Sequence, residues 1–232
     1  MRLVTWNACR GQFERKSPFL DHLHADIAVI QEIAQPKESL PNVLWFGTDP
    51  NQGVAVIASK PYSIAPLPQH DEVPSYVIPV SVEGPFSFVL FAVWTLGLKP
   101  FPYVCAASTA IDLYDDLFQQ RVVVMLGDFN SNAKWDKEHP ASLNHSAMVS
   151  RLKRHGLISG YHTFRSEEHG EESLHTFHLH RNEQKKYHID FCFIPESWAP
   201  RIRHVDIGSF AAWKTCSDHQ PLLVDIDIDA DA

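Results

Sequence analysis

Five short polar clusters stand flush with the ends of apolar, strand-like runs. The first run closes on Thr5-Trp6-Asn7, and the run at 27–30 is followed by Gln31-Glu32. The run at 122–126 ends in Gly127-Asp128-Phe129-Asn130-Ser131, and the run at 189–194 carries His188 and Asp190. The last run, at 221–226, is preceded by Cys216-Ser217-Asp218-His219-Gln220. Loops that follow buried strands are where scaffolds carry chemistry. An acid at the end of an apolar strand is costly unless it is paired, hydrogen-bonded or bound to a metal. Taken singly, each cluster has a plain reading. Gly, Asp and Asn favour turns, Glu32 can open a surface loop, and Asp218 can cap. Five in order, each against an apolar run, are not what independent turns produce.

Those clusters need strands to hold them. Short apolar runs punctuated by 16 prolines, concentrated between 36 and 102, read as strands and turns. Strands are expected at 3–6, 27–31, 43–46, 54–59, 76–82, 86–94, 122–126, 188–194, 203–207 and 221–226. The stretch Phe86-Ser87-Phe88-Val89-Leu90-Phe91-Ala92-Val93-Trp94 is nearly continuously apolar, which suits a strand buried on both faces. Three helices are expected: one capped by Ser17 with Pro18 at its first position, one at 103–118, and one at 142–155 stopped by Gly156. So many strands interspersed with helices would hardly fit one flat sheet, which points to an α/β sandwich. The acidic end, 225–231, reads as an edge strand fading into a tail.

The 232 residues suit one domain, 1–232, and hydrophobic residues at 44% supply its core. No apolar run approaches the ~18 residues of a membrane span. The net charge of −8 argues against a protein that coats long polyanions, because such binding neutralises many phosphates with Lys and Arg. It leaves room for an enzyme that grips one or two phosphates. Cys9, Cys105, Cys192 and Cys216 are scattered and read as reduced, small hydrophobes. With a strand from the first residues and no apolar leader, the expected address is cytoplasmic.

Thr5-Trp6-Asn7, Ile30-Gln31-Glu32, Leu126-Gly127-Asp128-Phe129-Asn130-Ser131, His188-Ile189-Asp190-Phe191-Cys192-Phe193 and Ser217-Asp218-His219-Gln220-Pro221-Leu222 resemble, in order, the signature series of the endonuclease/exonuclease/phosphatase superfamily. Gln52-Gly53-Val54-Ala55-Val56-Ile57, followed by Lys60-Pro61, is similar to its central hairpin. Deoxyribonuclease I, exonuclease III-type abasic-site nucleases, sphingomyelinases and inositol polyphosphate 5-phosphatases belong to that superfamily. The resemblance implies a four-layer αββα sandwich of two mixed sheets, a divalent cation (Mg2+ or Mn2+), and hydrolysis of a phosphate ester. By motif position it makes Glu32 the main metal ligand, with Asn7 beside it and Asp218 completing the metal or its water shell. Asp128 would orient or deprotonate the attacking water, Asn130 would hold a phosphate oxygen, and Asp190 would orient His219 towards the scissile phosphate. These roles agree with a hard cation that prefers oxygen ligands and keeps several waters.

Many members end the long central strand in a His or Tyr that acts as an acid on the leaving group. Here Trp94 or Thr95 stands there, and neither donates a proton as His would. Trp94 is either ordinary core or a stacking surface for a base or ring. In the family, a Thr followed by an aromatic borders the substrate cleft, which points to Thr176 and Phe177. His188 stands where abasic-site nucleases commonly have Arg. His178 and His180 share a face if they lie on a strand, but two ligands fall short of a zinc site. His145 and His162 have no context beyond polar loops. Among the basic groups, Arg181-Lys185-Lys186 alone is placed to meet a substrate phosphate. The expected partner is nucleic acid, DNA or a short oligonucleotide, the alternative being a small or lipid-like phosphate ester. A binding module that has lost catalysis is opposed by the intact set Glu32, Asp128, Asn130, Asp190, Asp218 and His219.

Overall fold

The computed structural model describes residues 1–73, 76–99 and 102–227. The strands begin with β1 (Arg2–Asn7), β2 (Ile27–Ile33), β3 (Val43–Asp49), β4 (Gln52–Ala58) and β5 (Ser63–Pro66). They continue with β6 (Val77–Glu83), β7 (Phe88–Trp94), β8 (Val123–Asp128), β9 (Leu157–Ser159), β10 (Phe177–His178) and β11 (Lys186–Tyr187). β12 (Asp190–Pro195), β13 (Ile202–Ile207) and β14 (Leu222–Ile226) complete them. Two six-stranded sheets result, ordered β13-β14-β1-β2-β4-β3 and β5-β6-β7-β8-β12-β9, with β10 and β11 forming a separate hairpin. β1 pairs in parallel with β2, and β7 with β8; the other pairings are antiparallel, so both sheets are mixed.

Alternation along the strands builds three hydrophobic layers. Leu90, Ala92 and Trp94 of β7 face the other sheet, together with Leu3, Val29, Val56, Leu126 and Val224. Val89, Phe91 and Val93 face the opposite way, onto helices α3 and α5 described below. All seven residues of β7 are buried, as a strand apolar on both faces requires. The outer side of the first sheet is covered by Phe13 of α1 (Phe13–Lys16), Leu20 of α2 (Pro18–Asp21) and Trp213 near the C-terminus. On the far side of the second sheet lie α3 (Val104–Leu113), α4 (Asp115–Gln120) and α5 (His145–Arg154). The four-layer αββα sandwich is the expected one.

Departures from the sequence reading are local. The helix expected at 103–118 breaks at Tyr114, whose hydroxyl accepts the His70 backbone N–H at 2.8 Å. Ser17 is itself helical and makes no side-chain cap; Pro18, lacking an N–H, splits the segment into α1 and α2. The third helix starts at His145, with Asn144 capping Ala147, and Gly156 (φ +72°) follows its end. Two further short helices, α6 (Gly160–Arg165) and α7 (Phe210–Trp213), and strands β5, β9, β10 and β11 lie where none was expected. β14 is interior, between β13 and β1, so the edge reading of this segment does not hold; residues 228–232 lie outside the described residues. All four cysteines are free thiols, and no helix among the described residues is long and apolar enough to cross a membrane.

Gly127 is required by close approach. It pairs in parallel with Val93, and a Cβ at this position would run into the Val93 carbonyl oxygen. Gly127→Ala is expected to cost about 1–3 kcal/mol of stability, read by urea unfolding, because the strand pair must part to admit the methyl group. Wild-type stability in that variant would contradict the close packing.

Candidate active site

The alternation that fills the core also delivers the polar groups. On β1, Leu3 faces the other sheet, and Asn7 lies on the same side two steps beyond Thr5; on β2, Gln31 follows Ile27 and Val29. On β8, Asp128 continues the row of Val124 and Leu126, and on β12, Asp190 shares its side with Cys192 and Ile194. All four polar residues therefore emerge at one end of the space between the sheets. β8 and β12 pair Asp128 directly with Asp190, and both carboxylates are buried.

Glu32 reaches the same place by a different device. Alternation alone would turn it to the outer face. Gln31 and Ile33, however, oppose the successive residues Val54 and Gly53, so Glu32 is the extra residue of a β-bulge, at φ +56°. That kink leaves its carboxylate 3.2 Å from the Asn7 Nδ2, which also donates to Asp128 Oδ2 at 2.9 Å. The Asn7 carboxamide oxygen accepts the Cys9 N–H at 2.9 Å. Asn130, at φ +47°, donates its backbone N–H to Asp128 Oδ1 at 2.9 Å and its side-chain amide to Asp128 Oδ2 at 3.1 Å. Backbone held in this region stores strain, and such residues concentrate at functional sites.

His219 completes the group. Its Nδ1 lies 2.9 Å from Asp190 Oδ2, its backbone N–H donates to Ser217 Oγ, and its carbonyl accepts the Trp6 indole N–H at 3.2 Å. Ser217 in turn donates to the Asn7 carbonyl at 2.7 Å, tying the last loop to β1. Thr176 Oγ1 accepts the backbone N–H groups of Ile189 and Asp190, both at 3.1 Å, and so sets the chain that carries Asp190. The ring of Phe177 packs 4.6 Å from that of His219. Ligand-type atoms of Asp128, Asp190 and His219 lie within 4.8 Å of one another, and Asp190 Oδ1 is buried with no hydrogen-bond partner among the described residues.

The electrostatics follow from this crowding. Burial, reinforced by the Asp190 charge, pushes the Asp128 carboxyl up to about 7, against the opposing pull of His219 and the Asn7 amide. Burial alone would lower His219. The charges of Asp190, Asp128 and Asp218 and the hydrogen bond to Asp190 outweigh it, raising the imidazole to about 9. The site thus holds an imidazolium at neutral pH beside a carboxyl poised near neutrality.

Several expected substrate contacts are corrected. Trp94 is 4% exposed and stacks on Tyr76 with ring centroids 5.1 Å apart, so it is core and offers no free face to a base. Thr95 occupies the strand end instead; its hydroxyl donates to the Phe129 carbonyl at 2.6 Å and its own carbonyl accepts the Asn130 amide at 3.0 Å, fixing the Asp128 loop. His188 is turned away from the cleft into a buried group of histidines, where burial pushes it down to about 3 and keeps it neutral. Thr176 is fully buried and acts on the backbone, whereas Phe177 does border the site. Asp218 is half-buried beside His219, and its carbonyl accepts the His178 N–H at 2.8 Å. His178 Nδ1 lies 2.6 Å from Gln220 Oε1; β10 ends at His178 and His180 lies in the turn that follows, at φ +56°, so the two do not share a strand face. Gln31 had no role in the sequence reading. It is buried, donating to Thr5 Oγ1 at 2.9 Å and across the sheets to the Val93 carbonyl at 3.2 Å. A Gln on the inward row of an apolar strand was the available signal.

The sequence matches no protein-family profile and no curated protein. Solved structures do resemble it along its whole length. A 3' phosphatase from Neisseria, NExo, bound to a product DNA hairpin, superposes with a TM-score of 0.69 at 18% identity, covering 98% of this chain and 100% of that one. An AP endonuclease from Archaeoglobus fulgidus gives 0.68 at 18% identity, with 98% and 100% covered. An endonuclease/exonuclease/phosphatase family protein from Leptotrichia buccalis gives 0.61 at 15% identity, again with 98% and 100% covered. The chain has the deoxyribonuclease I-like α/β sandwich of these proteins, the fold that its motif series resembles. At these identities the likeness establishes architecture, and the chemistry rests on the residues themselves.

In protein with labelled histidines, NMR titration is expected to place the His219 midpoint near 9. In Asp190→Asn it should fall by more than about one pH unit, because burial stays while the strongest partner loses its charge. An unshifted midpoint would contradict the pairing.

Proposed function

We propose that this chain is a divalent-metal-dependent phosphoesterase that hydrolyses phosphodiester bonds of nucleic acid, DNA or short oligonucleotides. The observation that carries the reading is the buried trio of Asp128, Asp190 and His219 at the open end of the sandwich, with Glu32 brought to it by a bulge. The donor set suits a hard cation: the Glu32 carboxylate beside the Asn7 carboxamide, and the buried Asp190 Oδ1, which has no hydrogen-bond partner among the described residues. Glu32 would be the principal ligand. Asn7 joins it only if its carboxamide oxygen leaves Cys9, and Asp218 stands at the margin for the metal's water shell. A bound Mg2+ or Mn2+ supplies charge stabilisation on the phosphoryl oxygens.

The chain's own groups divide the remaining work. Asp128 accepts the proton of the attacking water, and its raised pKa matches a base working near neutral pH. Asn130, fixed by Asp128 and the Thr95 carbonyl, holds a phosphate oxygen. Asp190 binds His219 at Nδ1, which leaves Nε2–H to face a nonbridging oxygen. The Thr95 hydroxyl is committed to the Phe129 carbonyl and is no acid for the leaving group. Beside Asn130 opens a recess of about 320 Å³ whose lining includes Tyr103, Trp135 and Leu143, which suits a nucleobase or sugar ring. On the other side the hairpin of β10 and β11 carries Phe177 and the exposed Lys186, with Arg181 and Lys185 in its loop.

A net charge of −8 favours a second reading, a small phosphate ester as substrate. Labelled single- and double-stranded oligonucleotides incubated with Mg2+, Mn2+ or EDTA separate the two. Metal-dependent cleavage is expected, with kcat/KM reduced roughly 10²–10⁴-fold in Asp128→Asn and in His219→Ala. Cleavage that persists in EDTA, or near-native turnover of either variant, would overturn the role assignment. Hydrolysis of small esters without any cleavage of oligonucleotides would select the second reading.

A further inference from the structure

Behind the Asp128 loop, four imidazoles and a carboxylate gather from segments far apart in the sequence. His145 opens α5, His162 lies on α6, His169 and Glu172 follow α6, and His188 precedes β12. Ligand-type atoms of His162, His169 and Glu172 lie within 4.8 Å of one another, in a group separate from the proposed catalytic one. The rings of His162 and His169 stack at 3.6 Å, His145 Nε2 is 3.0 Å from His169 Nδ1, and the His188 ring is 5.6 Å from that of His162. Glu172 Oε1 is held by the Asn132 amide and the Gly170 N–H, each at 2.9 Å, and lies 3.2 Å from His162 Nε2. Only His169 is half-buried, which gives the group a route to solvent.

His188 adds an independent observation. Its Nδ1 lies 3.1 Å from the Leu174 carbonyl, an acceptor only, so Nδ1 carries the proton and donates. Nε2 is then a bare lone pair, and it is buried without a hydrogen-bond partner among the described residues. Leaving a buried acceptor unmet is costly. One ring nitrogen bonded to a backbone carbonyl and the other free is the arrangement of a metal-ligating histidine.

We propose that His162, His169 and Glu172 form a structural zinc site, which His188, outside that close-set trio, would complete by moving its Nε2 in as the fourth donor. Three imidazoles and one carboxylate are borderline donors that suit Zn2+ over Mg2+, and four protein ligands close a structural site. The oxygen-dominated group at the front of the sandwich has the opposite preference. Through Glu172 and Asn132 the ion would brace the segment that follows Asn130, and through His188 the start of β12. It would thereby stiffen both strand ends that carry the facing aspartates, while taking no part in hydrolysis.

The test uses the full chain carrying Glu32→Gln, which weakens the front site, stripped of metal and titrated with Zn2+ against a chromophoric chelator. One zinc per chain is expected. Its affinity should fall about tenfold or more when Glu172→Gln or His169→Ala is added, with folding checked by circular dichroism. Should those additions unfold the chain, Co2+ added to the Glu32→Gln protein decides the matter, and visible d–d bands of a four-coordinate, nitrogen-rich site are expected. No zinc uptake, zinc affinity unchanged by both additions, or a Co2+ spectrum of the hexa-aqua type would overturn the site and leave a metal-free histidine network.

Discussion

Two buried carboxylates face each other across one antiparallel strand pair, and the rest of the molecule is arranged to make that tolerable. Asp128 and Asp190 are register partners with no exposure to solvent. Like charges in such a place repel and lack the solvation that water would give them. The structure answers with the His219 imidazolium on Asp190, and with donors from Asn7 and from the Asn130 backbone and side chain on Asp128. Relief is incomplete, since Asp190 Oδ1 has no partner among the described residues and the Asp128 carboxyl is pushed up to about 7. A fold that needed only stability would place apolar residues here. Under the proposed function, that residual charge is what would meet a cation and an attacking water.

That constraint explains features that look unrelated. Gly127 lets β7 and β8 close tightly enough for Asp128 to end at the mouth of the sandwich. The bulge at Glu32 reverses one side chain's direction, and Thr95 spends its hydroxyl on the loop rather than on substrate. Thr176 holds two consecutive N–H groups so that Asp190 cannot drift. The histidine group behind supports the same two strand ends from the opposite direction. Front and rear differ in donor chemistry, two carboxylates and one imidazole against two imidazoles and one carboxylate.

Much of this was legible in the sequence because it is written locally. Apolar runs of strand length, each ending in acids, amides or histidine, disclose both the sheets and the positions of Asn7, Glu32, Asp128, Asn130, Asp190 and His219. What stayed hidden depends on contacts between distant segments. One step of register decides that Trp94 joins the inter-sheet core while Thr95 reaches the site. The helix expected at 103–118 breaks at Tyr114, whose hydroxyl meets the backbone N–H of the distant His70. His145, His162, His169 and His188 look like unrelated polar residues until α5, α6 and β12 bring them together. Glu32 was picked out by type, but the bulge that aims it leaves no trace in residue composition.

The central claim is that Asp128 is held ionisable at a cost to the fold. Its carboxyl is raised from 3.8 to about 7, so the stability it contributes as a protonated group is complete below 3.8 and is lost as pH rises through about 7. Asparagine removes the titrating charge at every pH, although its amide NH2 cannot accept the donors that both Asp128 oxygens meet. The direct measurement is therefore the unfolding free energy of wild type and Asp128→Asn, compared between about pH 4 and pH 9. The account predicts that wild type loses stability relative to the variant as pH rises from about 4 to about 7, whatever their difference at the acid end. A stability difference that stays constant with pH, or that moves in favour of wild type as pH rises, would contradict the raised carboxyl, and the claim would fail.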